Sequence, residues 1–161
     1  MKAHQQLVKL MSTPLPTVSL QKRKPYRPTR QQVNRVYNLL NTAIFDNLLS
    51  RCTINIAQEY KYLAYCRGYP FKTSRGTYCY IKIPNKYFSV QWLIMILAHE
   101  MSHQYQWDVI GKQRLTRGQN PIMSHGASFF VYKQKLAEFG IPLRRRVNIE
   151  KWFRHQDLRK L

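Results

Sequence analysis

The residues best suited to chemistry lie in "LAHEMSHQYQ", Leu97 to Gln106, where His99 and His103 stand four apart and Glu100 directly follows the first. On an α-helix, positions i and i+4 lie about 40° apart, so the two imidazoles project from one face, one turn apart, and can chelate one metal. Zinc accepts neutral imidazole nitrogen. A catalytic zinc site uses three protein ligands and leaves a position for water, whose pKa falls to near 7. Glu100, beside the ligand face, can take the proton from that water and pass it to a leaving amine. The same spacing can arise by accident on any histidine-bearing helix. Here, however, it ends a stretch with no charged side chain from Tyr87 to Ala98. Unsatisfied polar groups in such a buried place would cost roughly 1 to 3 kcal/mol each, and a metal site explains their presence.

A third ligand must come from elsewhere. His125 heads an apolar stripe, His125, Phe129, Tyr132, Leu136 and Phe139, that ends at Gly140 with Pro142 just beyond. That pattern predicts a helix with an ordinary stop signal and turns His125 toward the core with Phe129. Glu138 is the competing ligand, nearly four turns away on the same helix, and His125 is favoured over it. His155 lies in a charged tail and reads as a solvated surface residue.

Several elements must position these groups. Thr29 with Gln32 makes a capping box, and Val33, Val36, Tyr37, Leu40 and Ile44 recur at helical spacing, predicting an amphipathic helix to about Asp46. "RCTINIAQ", "KYLAYCR" and "GTYCYIKI" predict three strands in a small antiparallel meander, with "GYPFKTSRG" as a basic hairpin loop. Ser89 to Asp108 reads as a buried helix, apolar almost all round. Residues 1–28, punctuated by proline, read as a basic N-terminal arm, residues 29–140 as one α+β domain, and residues 141–161 as a basic tail. Cys52, Cys66 and Cys79 are odd in number, lack a CxxC pair and fall in strand-like segments. They are expected to be reduced core residues.

Charge sets the partner class. Lys and Arg number 27 against 7 Asp and Glu, a formal net charge of +20, so the surface should seek polyanions, nucleic acid first. Lys22, Arg23, Lys24, Arg27 and Arg30 cluster in the arm, Lys72 and Arg75 in the hairpin loop, and Lys112, Arg114 and Arg117 border the motif helix. Tyr60, Tyr62, Tyr65, Tyr78 and Tyr80 alternate with basic residues, a pattern suited to stacking exposed bases. The more ordinary role of strand tyrosines is packing on helices or neighbouring strands. No helix-turn-helix or zinc-finger pattern appears, so backbone-directed, weakly sequence-selective binding is expected. The longest apolar run, Trp92 to Ala98, is far short of the roughly 20 residues that span a bilayer. The acid-free first 45 residues lack the serine richness and amphipathic period of a transit peptide. The expectation is a soluble intracellular protein without a membrane partner, cytoplasmic or associated with a nucleoid or nucleus.

"AHEMSH" followed by "SHGASFF", with "LLNTAIFDNLL" upstream, resembles the SprT-like (Spartan-type) zinc metalloprotease family over roughly residues 29–140. The resemblance implies a zincin-like fold: an N-terminal helix, a three-stranded antiparallel sheet, the HExxH helix and a following helix carrying the third histidine. It also implies a Zn2+ site of His99, His103 and His125, with Glu100 as general base in peptide hydrolysis. Substrates would be proteins linked to nucleic acid, DNA foremost. The chain departs from the family in having no CxxC-bearing zinc ribbon; the basic arm, loop and tail could take its place. It also lacks the extension HExxHxxGxxH, since Gln106 and Val109 occupy those positions, so a metzincin is not indicated. The alternative from another class is a non-catalytic, zinc-stabilised structural protein associated with nucleic acid in a viral particle or nucleoprotein assembly. Such a site would need no base at Glu100.

Overall fold

Residues 1–28 do not form a free arm throughout: Ala3–Met11 is a helix, α1. Leu7 is fully buried on it, and Leu10 and Met11 complete a short apolar face against the core. The helix packs on the next one, α2, and the chain after it is tied down where Gln91 Nε2 donates to Thr13 O at 2.7 Å. A computed structural model describes residues 2–14, 24–58, 64–72, 74 and 76–147. The expectations at Lys22, Arg23, Tyr60, Tyr62, Arg75 and His155 lie outside them.

Helix α2, Arg30–Ala43, begins at the expected capping box: Gln32 N donates to Thr29 Oγ1 at 3.2 Å and Thr29 N to Gln32 Oε1 at 2.8 Å. Its apolar stripe, Val33, Val36, Tyr37 and Leu40, is buried. It ends before Asp46. Asp46 and Asn47 take positive φ, 53° and 58°, reversing the chain. The Asn41 carboxamide then clamps the return by bonding both N and O of Leu49 at 3.2 Å.

Strands β1 (Cys52–Ile56), β2 (Tyr65–Gly68) and β3 (Cys79–Ile83) form one sheet, but not the expected meander. The order is β1-β3-β2, with β1 parallel to β3 and β2 antiparallel to it. The reason lies in burial. Cys79, Ile81 and Ile83 are fully buried, so β3 takes the centre, while the half-buried β1 and β2 form the edges. Alternation of apolar residues fixes which face a side chain takes and leaves open which strand lies next to it.

Helix α3, Val90–Tyr105, packs under the sheet, and its side chains from Gln91 to Ala98 are all buried, as its lack of charge predicts. It widens into a π turn, Gln106–Gly111, and closes with α4, Lys112–Thr116. The helix expected from His125 is shorter than its stripe. Phe129, Phe130 and Lys133 bond three residues back, giving tight turns, and only Lys133–Glu138 is α-helical, α5. Gly140, φ 74°, caps it as expected, with Ile141 N bonded to Leu136 O at 3.0 Å. Ile141 and Leu143 return to the core. The chain is thus mixed α+β around a three-stranded sheet. No helix among the described residues is long and apolar enough to cross a membrane.

Candidate metal centre

The buried α3 sets His99 and His103 one turn apart on one face, and the turns at 124–132 bring His125 to them. His125 Nε2 lies 3.2 Å from His99 Nε2 and 3.2 Å from His103 Nε2. Two imidazole nitrogens bound to a tetrahedral zinc at 2.0 to 2.1 Å would stand about 3.3 Å apart. The donor set therefore fits that ion. Among the described residues, these three histidines are the group of metal-binding side chains close enough to share one ion. Glu138, the competing ligand, is exposed on α5 and stands apart from them.

Phe129, 1% exposed, forms the floor: its ring centroid lies 4.8, 4.6 and 4.7 Å from those of His99, His103 and His125. The stripe that linked His125 to Phe129 in the sequence thus delivers both to one place. Burial lowers the pKa of all three imidazoles. His99 falls furthest, to about 3, through burial and then the charges His103 and His125 would carry. At His103 the hydrogen bond it donates to Gln106 partly opposes the burial, and at His125 burial is reinforced by the cations Arg145 and Arg146. All three are neutral at pH 7, the form a metal needs.

Gln106, which sequence alone does not single out, fixes the geometry. It is fully buried at the start of the π turn. Its Nε2 donates to Ser124 O at 2.7 Å and Ser128 Oγ at 2.8 Å, on either side of His125. A carbonyl can only accept, so this nitrogen must face Ser124, and Oε1 is left facing His103 Nδ1 at 2.8 Å. Nδ1 therefore carries the ring proton and Nε2 presents its lone pair to the other histidines. One amide sets the tautomer of one ligand and anchors the segment bearing another. The only sequence trace is a polar residue three after His103, on the same helical face.

Glu100 is 5% exposed, and burial raises its pKa to about 8. No described residue pairs with it. Asp108, also buried, is accounted for differently: its Oδ2 accepts from Ser50 N at 2.8 Å, Ser50 Oγ at 2.7 Å and Gln104 Nε2 at 2.9 Å. The Tyr37 hydroxyl, 2.9 Å from Gln104 Oε1, extends that network to α2. It holds the end of the motif helix against the entry to β1.

The structure gathers the basic residues less tightly. Lys24, Arg27 and Arg30 are exposed at the entry to α2, Lys72 after β2, and Lys112 and Arg117 at the two ends of α4, and Arg114 is half-buried with Nε bonded to Asn120 O at 2.7 Å. Carboxylates scarcely offset them. Of the described acids, Glu100 and Asp108 are buried and Asp46 is bridged to Lys135 at 2.7 Å, leaving Glu138 exposed. Sequence alone did not place Arg145 and Arg146 near His125, because the turn at Gly140 that brings them back is a tertiary event. A polar cleft of about 480 Å³ between α2 and β1, lined by Arg30, Asn34, Asn38 and Arg51 among others, includes none of the three histidines. No protein family model, curated protein or solved structure matches the chain.

Proposed function

We propose that the chain is a zinc endopeptidase acting on proteins associated with nucleic acid, DNA foremost, in the manner its resemblance to SprT-like proteases implies. The observation that carries this reading is the convergence of three imidazoles, His125 Nε2 lying 3.2 Å from the Nε2 of each of the other two, beside a buried carboxylate with no described partner one residue after the first of them. His99, His103 and His125 would hold the zinc. When bound, it would activate a water and polarise the scissile carbonyl.

The chain's own residues do the rest. Gln106 and Phe129 hold the ligand rings in place. Glu100 takes the proton of the attacking water and delivers it to the leaving amine. Burial raises the proton affinity of Glu100, which helps it hold that proton between the two transfers once the carboxylate has accepted it. The poorly neutralised positive surface supports a polyanionic partner, and a charge of +20 would draw protein-bearing nucleic acid to the site.

Glu100→Gln tests the reading, because a glutamine keeps size and hydrogen bonding but cannot accept the proton. Turnover should fall on the order of 10²- to 10⁴-fold while zinc stays bound. The substrates should be a DNA-bound protein and the chain itself, each with and without single-stranded DNA. His99→Ala, His103→Ala and His125→Ala should each lose zinc by metal analysis. If wild type and Glu100→Gln are equally inert across the panel while both hold zinc, the structural-protein alternative takes its place. If both cleave equally fast, the chain is a protease and Glu100 is not its base.

A further inference from the structure

The sheet has two unlike faces. Cys79, Ile81 and Ile83, with their lateral partners Cys52, Ile54 and Ile56, pack into the core. Gly68 shares that face, where a Cβ would overlap the Trp107 ring. The opposite face carries the cross-strand pairs Tyr65–Lys82 and Arg67–Tyr80. Neither tyrosine belongs to the core; both are partly buried, and Arg67 is exposed. These two strand tyrosines therefore pack on each other across neighbouring strands, outside the core.

Their arrangement alternates ring and cation both along and across the strands. The Tyr65 and Tyr80 centroids lie 6.0 Å apart with planes 38° from parallel, and Arg67 Cζ lies 5.3 Å from the Tyr65 centroid. The ladder continues where Tyr69 N bonds Tyr78 O at 2.8 Å, and there Lys72 Nζ sits 5.9 Å from the Tyr78 centroid. None of these residues is acidic. A duplex hides the faces of its bases and offers such a surface only phosphates. An unpaired strand offers both, a base face for each ring and a phosphate for each cation.

We infer that this face of the sheet is a platform for single-stranded nucleic acid, with bases stacked on Tyr65 and Tyr80 and phosphates met by Arg67 and Lys72. The inference rests on the nucleic-acid half of the proposed function and is independent of peptide hydrolysis.

The test is fluorescence anisotropy of the full chain with a labelled oligothymidine and, separately, a duplex of equal length, both at low salt. Tyr65→Ala and Tyr80→Ala should each weaken single-strand binding on the order of 10-fold and leave duplex binding nearly unchanged. Tyr65→Phe and Tyr80→Phe should bind as wild type, because stacking needs the ring and not the hydroxyl; they also guard against a folding defect. If wild type binds neither probe, the nucleic-acid reading itself falls and the platform with it. If wild type binds single strands and the alanine variants bind equally well, or lose both probes alike, the platform is refuted and the broader reading stands.

Discussion

Replacing Gln106 by leucine keeps the volume of the side chain and removes its polar atoms. The structure assigns that side chain three contacts, at 2.7 to 2.8 Å, to Ser124 O, Ser128 Oγ and His103 Nδ1. Ser128 is half-buried and Ser124 exposed, so both can turn to water, but the His103 proton loses its partner beside a fully buried residue. Folding stability should drop by about 1 to 3 kcal/mol, the cost of one unsatisfied buried group. Zinc affinity should fall separately, by about 10- to 100-fold, because the ring of His103 is no longer fixed in orientation or tautomer. Gln106→Glu separates the two effects. A carboxylate still accepts from His103 Nδ1, so zinc affinity should hold, whereas a carboxylate facing the Ser124 carbonyl repels it, so stability should still fall. Urea denaturation reads the first quantity, and competition against a chromophoric chelator reads the second without any need for turnover. Gln106→Leu with wild-type zinc affinity, or Gln106→Glu with a loss as large as that of leucine, would show that Gln106 does not orient His103.

Two further outcomes follow from burial. In chelator-treated protein, His99 has a folded pKa of about 3 against 6.5, so its contribution to stability is complete above 6.5 and is lost as pH falls toward 3; Glu100, raised from 4.5 to about 8, contributes fully below 4.5 and loses that contribution as pH rises through 8. Below 6.5 the lowered pKa values of His103 and His125 add to that of His99 and outweigh Glu100, so urea midpoints should peak near 6.5; Glu100→Gln should remove the alkaline fall, His99→Gln should soften the acid fall, and variants with unchanged profiles would contradict the assignment. Gly68→Ala should cost about 1 to 3 kcal/mol or more, because the new methyl overlaps the Trp107 ring, and a wild-type urea midpoint would mean the ring moves aside freely.

What was legible in the sequence was local. The Thr29 box, the stripe of α2, the buried helix before the motif and the stop at Gly140 each depend on residues a few positions apart, and each appears where its signal lies. The inward faces of β1 and β3 were legible for the same reason. Neighbour order was not, because β1 lying parallel to β3 depends on how deeply each strand is buried. The short run around Leu7 gave too little period to separate α1 from an arm; it is helical because α2 offers it a surface. His99, His103 and His125 were found because an i, i+4 pair and an aromatic stripe both report direction. Gln106 and Asp108 were not, since a glutamine or a single aspartate near a helix end has many ordinary uses until its partners are known.

Those partners separate support from reactivity within one element. Through α3 and its π turn, nearly every buried polar side chain is bonded to another protein group: Gln91 to Thr13 O, Ser102 to Ala98 O, Gln104 and Asp108 to Ser50, and Gln106 to Ser124 and Ser128. Just before α3, Asn85 Oδ1 and Ser89 Oγ are also buried without a partner, so an exception points to a site only where it clusters with groups that could share a ligand. Two exceptions are neighbours. Glu100 has no described partner, and His99 Nδ1 is buried without a well-aligned one, while His99 Nε2 points only at another histidine. Neutral imidazoles 3.2 Å apart cannot all donate to one another, so at least one lone pair in the cluster lacks a proton to accept. A cation placed among the three nitrogens, with a water beside Glu100, would satisfy the Nε2 atoms and the carboxylate together. A structural zinc would satisfy the histidines and leave the buried carboxylate unexplained.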